Sequence, residues 1–277
     1  MKVVGTLFRI LIAGAISLFQ TMAAAIVPIK VQMPPYTIPW VLVANFVTAG
    51  VLVLVALRSD WRGWRLGVAI SAIPITLGLT NVIEGAIFLI NVGIDWSRII
   101  THTMIVYEFC VPVWILLFAK SGERGLEPYY RADSKLPEER LWKFFVSDAS
   151  YLVLYFIAGM IVVPFVRDFY GTQTLPPASR LVAMQLLVRG PILVGLCLLL
   201  LRLLRLPRVS AALAVGAVLA LLNGVAPLLV PNPYLPYAVR WAHLCEIASS
   251  NFVFGVIVGW LWGRPSAASV LNQSQVA

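Results

Sequence analysis

Eight long apolar runs, separated by short polar or basic segments, dominate the pattern of this 277-residue chain. Each run is long enough for an α-helix that crosses the hydrocarbon core of a bilayer, which takes about 20 residues. The pattern therefore predicts an all-α fold, a polytopic integral membrane helix bundle with eight transmembrane helices. The predicted spans are residues 4–27, 39–57, 66–90, 99–118, 144–166, 180–203, 208–230 and 238–262.

Composition supports a membrane protein and leaves no room for a soluble catalytic domain. Apolar residues make up 60% of the chain and charged residues 12%, and the mean hydropathy is +0.90. A water-soluble domain could not carry this composition on its surface. The first run also imitates a cleavable signal peptide, since it has a basic start and ends in Ala23-Ala24-Ala25. The repeat described below favours a retained membrane helix instead.

The net charge of +9 predicts membrane orientation rather than binding to nucleic acid. In an eight-span topology most basic residues fall on one side, as the positive-inside rule requires of the cytoplasmic face. We therefore predict a multi-pass protein of the cell (inner) membrane with both termini in the cytoplasm. The basic groups on that side are Lys2, Arg9, Arg58, Arg62, Arg65, the segment 120–143, Arg202, Arg205, Arg208 and Arg264.

Short matching residue patterns recur in the same order in both halves of the chain, at offsets of 139 to 145 residues; we call them landmarks. They predict a 4+4 internal repeat, with both units oriented alike because each has an even number of spans. The alternative is coincidence within the small alphabet of membrane helices. The predicted units are 1–119, a charged cytoplasmic linker 120–143 with 11 of the 33 charged residues, 144–264, and a disordered tail 265–277. The landmark pairs are Ile12–Gly14 with Ile157–Gly159, Pro34-Pro35 with Pro176-Pro177, Val43-Ala44 with Val182-Ala183, Gly50 with Gly190, Asn81 with Asn223, and Arg98 with Arg240.

The last run, Val239 to Gly263, combines a polar stripe with a small-residue seam. His243, Glu246 and Ser250 lie at i, i+3 and i+7, so an α-helix presents them on one face. Gly255, Gly259 and Gly263 recur every four residues, which gives a flat surface for close packing of another helix backbone. The seam predicts a helix–helix contact. It is also a candidate contact to a partner subunit or to a second copy.

Other costly polar groups lie in the same half of the bilayer. Counted at about 1.5 Å per helical residue, Asn81, Glu84, Gln185 and Asn223 lie roughly 10 Å below the outer ends of their spans, and Glu108, Arg189 and Glu246 lie near the midplane. Such groups cost a few kcal/mol each in lipid, so they should face one another inside the bundle. We predict a substrate or proton path formed by Glu84, Glu108, Gln185, Arg189, His243 and Glu246, with Asn81, Asn223, Ser250 and Asn251 as supporting polar groups.

Arg189 is the one guanidinium deep inside a predicted span, and it needs a carboxylate partner because it stays charged. Depth favours Glu246 or Glu108 as that partner. At least one buried glutamate then lacks a cation and can bind a proton near neutral pH. His243, one turn above Glu246, could pass that proton outward. Each feature also has a purely structural interpretation, in which the asparagines join helices and Arg189 with Glu246 forms a buried ion pair.

Three function classes remain open. The first is a transporter or carrier of a small or amphipathic molecule, for which an anionic substrate is one option, with a polar cavity that opens to the outer side. The second is an intramembrane enzyme or cofactor-binding protein that uses His243 and Glu246. Two observations count against this second class. The chain has two histidines and contains neither an H-E-x-x-H nor a G-x-S-x-G motif. A haem bound by two histidines would be favoured if the repeat aligned His243 with His102, but it aligns His243 with Thr101. The third is a structural or accessory subunit.

For the carrier, the expected partners are the lipid bilayer and a small-molecule or lipid-like substrate, with no nucleic acid. We assign no catalytic residue, no metal ligand and no cofactor.

Overall fold

The computed structural model describes residues 2–23, 34, 36–88, 101, 137–172, 175–204, 206–231 and 235–263. Within these ranges the chain is helical and contains no strand. The candidate span 99–118 lies outside the described residues apart from residue 101, as do most of the linker and the whole tail. The helices are α1 (Lys2–Ala23), α2 (Thr37–Arg58), α3 (Gly63–Phe88), α4 (Pro137–Tyr170), α5 (Ala178–Leu203), α6 (Arg208–Leu229) and α7 (Tyr237–Trp262).

Six of these helices are long and apolar enough to cross a membrane. They are α2, α3, α5, α6, α7 and the Arg140–Tyr170 part of α4. Helix α1 contributes a shorter apolar stretch, Val4–Ile16. The fold class is therefore that of an all-helical, multi-pass membrane protein, as the sequence predicts.

Large apolar side chains cover the outside of the bundle. Phe165 on α4 is 73% exposed and Leu187 on α5 is 76% exposed. Water-soluble proteins rarely expose a continuous apolar surface, whereas lipid solvates one. The exposed side chains are thus explained by a hydrocarbon environment.

Helix α4 is longer than its apolar run indicates. It begins at Pro137, inside the predicted linker, and continues to Tyr170, four residues beyond the end of the predicted span 144–166. A proline at the first helical position costs no hydrogen bond, because that N–H has no partner within a helix. Helix ends therefore extend beyond the apolar stretch, and the extension carries Tyr170 into the site described below.

The glycine seam of α7 packs against α6, which confirms the predicted helix contact. A Cβ on Gly255 would lie 2.6 Å from the Cα of Gly216, and one on Gly259 would collide with the backbone of Ala212. Only glycine at these positions lets the two backbones approach so closely. The seam that we considered for a partner subunit thus has a neighbour inside the chain.

The bundle has a polar end and a sealed end. We call the end where α4 finishes and α7 begins the mouth end, and the opposite end the far end. Toward the far end, buried apolar side chains from the seven described helices form one core; Leu52, Ile70, Leu200, Val215 and Phe254 are examples. Helix α7 packs against α4, α5 and α6 around this core. The predicted path residues Glu84, Arg189, His243 and Glu246 lie above it, around the cavity described below.

Candidate functional site

A cavity of about 720 Å³ lies between α3, α4, α5, α6 and α7. Its wall is mostly apolar and carries a small group of polar side chains. Phe88 and Tyr170 line it near the mouth end, and Tyr151 and Arg189 line its floor. Met160 and Val163 line the cavity and are also 66% and 53% exposed on the surface of the bundle. The cavity therefore opens sideways, toward the apolar surroundings of α4.

Arg189 forms an ion pair with Glu84 at the floor of the cavity. The Arg189 Nη1 atom lies 2.7 Å from Glu84 Oε1, and its Nη2 donates to Asn81 Oδ1 at 3.5 Å. The guanidinium also lies 5.8 Å from the centre of the Tyr151 ring, within cation–π range. Arg189 is 2% exposed, and its charge can stay in the bundle because the guanidinium is paired with a carboxylate.

The expectation that Glu246 pairs with Arg189 is wrong, and Glu108, the other predicted partner, lies outside the described residues. Two physical reasons account for the difference. The long arginine side chain reaches across more than a helical turn, so equal depth of the Cα atoms is a poor guide to its partner. Glu246 already has a neighbour one turn away on its own helix, His243.

Tyr170, His243 and Glu246 form a hydrogen-bonded chain. His243 Nδ1 lies 2.6 Å from Glu246 Oε2, and His243 Nε2 lies 2.8 Å from the Tyr170 hydroxyl. With the imidazole neutral, Nδ1–H donates to the carboxylate and Nε2 accepts from the phenol. The spacing of i and i+3 on α7 predicts the His243–Glu246 contact but not the contribution of Tyr170 from α4.

A signal for Tyr170 does exist in the sequence. Tyr151, Tyr155, Gly159, Val166 and Tyr170 follow one another at helical spacings, so a helix extended to residue 170 places them on one face. All five residues line the cavity, and Val166 is also buried. Sequence reasoning missed this face because it ended the span at residue 166.

The supporting polar residues have different kinds of hydrogen-bond partner. Asn223 Nδ2 donates to Asn251 Oδ1 at 3.1 Å, which ties α6 to α7. Ser250 and Asn251 give their own donors to α7 carbonyls, those of Glu246 and Ile247, each at 2.8 Å. Gln185, which was predicted as part of the path, is instead fully buried outside the cavity wall, and its side-chain oxygen and nitrogen have no hydrogen-bond partner among the described residues.

Two short π-helical segments carry polar residues of the site. The segment Gln185–Arg189 interrupts α5, and Ala220–Val225, which includes Asn223, interrupts α6. Pro191 and Pro227 each lie two residues after the end of one of these segments. Because a proline lacks an N–H and its ring crowds the preceding turn, the helix cannot keep its regular hydrogen bonds there. The widened turns rotate the residues before them, and π segments often occur at functional sites.

The ion pair and the Tyr170–His243–Glu246 chain belong to one polar centre. Tyr155 and Tyr170 line the same cavity as Glu84, Arg189 and Glu246. Of the predicted path residues, Glu84, Arg189, His243 and Glu246 thus share one cavity wall. Among the residues that the structure describes, no three histidine, cysteine or acidic side chains are grouped to hold a metal ion.

Comparison with known proteins gives no relative from which a role could be transferred. No protein-family model matches the chain, no curated protein resembles it, and no solved structure matches it. A bundle of apolar helices hosts many functions, so only the cavity and its side chains can indicate the function of this one.

Proposed function

We propose that this protein is a membrane carrier that binds a small or amphipathic molecule in the cavity between α3, α4, α5, α6 and α7. The observation that carries the proposal is a large, mostly apolar cavity with a few convergent polar groups, which is the usual form of a small-molecule site. Its sideways opening along α4 suits a molecule that arrives from the bilayer.

Proton exchange at Glu246 is the second part of the proposal. Glu246 is hydrogen-bonded to His243, which in turn contacts Tyr170 near the mouth end. Such a chain can pass a proton between the carboxylate and the mouth. The Glu84–Arg189 pair carries fixed, mutually compensating charges and shapes the floor.

Carriage across the membrane requires the far end to open. There the described helices pack tightly, since side chains such as Leu193, Cys197 and Leu200 are completely buried. The widened turns in α5 and α6 lie directly above this seal and have fewer regular hydrogen bonds to break. We place the conformational change at these two turns.

We also propose the full topology that the sequence predicts, with eight spans, a 4+4 parallel repeat and both termini cytoplasmic in the cell membrane. The segregation of arginine and lysine and the ordered landmarks support it. One feature departs from the repeat: α2 and α3 are continuous α-helices, whereas α5 and α6 contain π segments.

Cysteine labelling tests topology and repeat together. After replacement of Cys110, Cys197 and Cys245, single cysteines are placed at Ser134, at Thr172 and at Lys30, the repeat counterpart of Thr172. An impermeant maleimide added to intact cells should label positions 30 and 172, and position 134 only after permeabilisation. Labelling of 30 and 172 from opposite sides would contradict the parallel repeat.

Occupancy of the cavity is the direct test of the carrier proposal. A Cβ on Gly159 would lie 3.7 Å from Glu246 Oε1, so Gly159→Phe fills the space beside the polar centre. Gly195 on α5 is exposed, and a Cβ there would meet no described residue within 4 Å, which makes Gly195→Phe the matched control. Mass spectrometry should find a molecule that co-purifies with the original protein and with Gly195→Phe, and is depleted at least about tenfold in Gly159→Phe, a loss of roughly 1.4 kcal/mol.

Movement of that molecule then separates a carrier from a passive binder. In proteoliposomes its uptake should be accompanied by a change in internal pH, and Glu246→Gln should abolish both while the protein stays folded. Glutamine keeps the shape and an acceptor oxygen for His243 but cannot titrate. If no molecule is depleted by Gly159→Phe, the structural-subunit hypothesis replaces the carrier.

The second candidate function is an intramembrane enzyme, and the Tyr170–His243–Glu246 chain is the observation that favours it. An imidazole oriented by a carboxylate and in contact with a hydroxyl is a common general acid–base arrangement. The co-purified molecule discriminates, because an enzyme converts it to a chemically different product, whereas a carrier returns it unchanged.

A further inference from the structure

We infer that the molecule held in the cavity is an uncharged amphipathic lipid, with a hydroxyl-bearing headgroup at Glu246 and a hydrocarbon tail along α4. The inference rests on the carrier proposal, and it replaces the anionic substrate that the sequence suggested. Three features of the cavity support it: the charges of its wall, the oxygen of Glu246 that does not contact His243, and the position of its opening along α4.

The cations of the inner wall are already compensated. Arg189 is paired with Glu84, and its Nε is buried without access to the cavity. His243 carries no positive charge as the neutral imidazole described above, and a protonated ring would be compensated by Glu246, whose Oε2 lies 2.6 Å from its Nδ1. Arg167 lines the cavity only at its rim, where it is 78% exposed and lies 3.6 Å from Asp168.

An anionic headgroup would therefore find no free positive charge deep in the described wall. It would instead face Glu84 and Glu246 at close range in an environment with little water, where like charges repel strongly and an unpaired ion is costly. An uncharged headgroup avoids both penalties. The balance of charges thus selects against a phosphate and in favour of a neutral polar group.

The free side of Glu246 identifies the kind of neutral group. Its Oε2 is hydrogen-bonded to His243. Its Oε1 faces Gly159 and lies 3.7 Å from the position that a Cβ on this glycine would take. Because glycine has no side chain, a space remains beside a carboxylate oxygen that can accept another hydrogen bond. A hydroxyl donates to a carboxylate, and this charge-assisted bond is stronger than one between neutral groups.

The opening identifies the rest of the molecule. From Gly159 the wall continues along α4 through Val162 and Val163, and Met160 and Val163 are also exposed on the surface of the bundle. A tail that leaves the headgroup site by this route stays in apolar contact and enters the bilayer without crossing a polar layer. Hydrocarbon burial supplies most of the affinity of such a ligand.

Two lipids that differ only in a phosphate provide the test. Dioleoylglycerol has a free hydroxyl, and dioleoyl phosphatidic acid has the same tails with a phosphate in its place. Both are titrated into the purified full-length protein and the complexes are quantified by native mass spectrometry. Dioleoylglycerol is expected to bind at least tenfold more tightly. Equal or tighter binding of phosphatidic acid overturns the inference and leaves the carrier proposal standing.

Variants locate the binding. Glu246→Gln should weaken dioleoylglycerol about tenfold, by loss of the charge-assisted bond. Gly159→Phe should abolish binding, and Gly195→Phe should bind as the original protein does. Val163→Lys, which adds an unpaired ammonium at an exposed lining position, should gain phosphatidic acid binding at least tenfold relative to the uncharged Val163→Gln.

Each remaining outcome is decisive. Binding that is unaffected by Glu246→Gln and by Gly159→Phe places the lipid elsewhere and overturns the inference. Absence of binding by both lipids also overturns it. Failure of the carrier proposal has a different signature, which is the absence of any co-purifying molecule that Gly159→Phe depletes.

Discussion

Glu84→Gln is expected to destabilise the protein by about 3–5 kcal/mol, because it leaves a buried guanidinium without a counter-charge. Arg189 is 2% exposed and its nearest carboxylate oxygen, on Glu84, lies 2.7 Å away. Arginine cannot release its proton under ordinary conditions, so the stranded charge persists. The melting temperature in detergent should fall on the order of 10 °C.

The reverse change should cost less. Arg189→Met leaves Glu84 without its cation, but a carboxylate can bind a proton and become neutral. The double variant Glu84→Gln with Arg189→Met should melt close to Arg189→Met alone, since no charge remains. Arg180→Met, an exposed arginine on the same helix, is the control and should change the melting temperature little. Equal losses for Glu84→Gln and Arg180→Met would show that the ion pair does not stabilise the bundle.

Gly255→Leu is expected to separate α6 from α7 and to cost about 3 kcal/mol or more, at the upper end of what overpacking produces. A Cβ at this position would lie 2.6 Å from Gly216 Cα and 2.7 Å from Gly216 N, so backbone rather than a flexible side chain must move. The helices can relieve the clash only by moving apart, which also disturbs the Asn223–Asn251 hydrogen bond. Thermal melting and size-exclusion chromatography in detergent measure the effect.

Gly195→Leu is the matched control for the seam, because a side chain at Gly195 meets nothing within 4 Å. It should retain the original melting temperature and elution volume. Gly216→Leu should behave like Gly255→Leu, since a Cβ there would lie 2.6 Å from the Phe252 carbonyl oxygen. If Gly255→Leu melts like Gly195→Leu, close backbone packing of α6 and α7 does not hold the bundle together.

Features that repeat along a single helix were accessible from the sequence. The seam depends only on glycines four residues apart, and the His243–Glu246 contact only on a spacing of three. Both follow from the 3.6-residue period of the α-helix, whatever the neighbours are. The membrane spans are predictable for a similar reason, since the bilayer sets the length of an apolar run.

Two further features of the site have a signal in the sequence. The helical face from Tyr151 to Tyr170 becomes visible only if α4 extends beyond its apolar run, and helix ends are the least predictable part of a helix. Pro191 and Pro227 mark the widened turns in α5 and α6. A proline within a span indicates a disturbed helix, but it does not specify a π turn instead of a kink.

The sequence by itself determined that the chain is an all-helical, multi-pass membrane protein whose polar groups must meet inside the bundle, because lipid solvates apolar side chains and excludes unpaired charges. Only the tertiary structure decided which groups meet. Arg189 pairs with Glu84 rather than Glu246, and Tyr170 completes the contact with His243. Such pairings join helices that are distant in sequence, and they depend on helix rotation, on the two widened turns and on side-chain reach, none of which a single-helix period encodes.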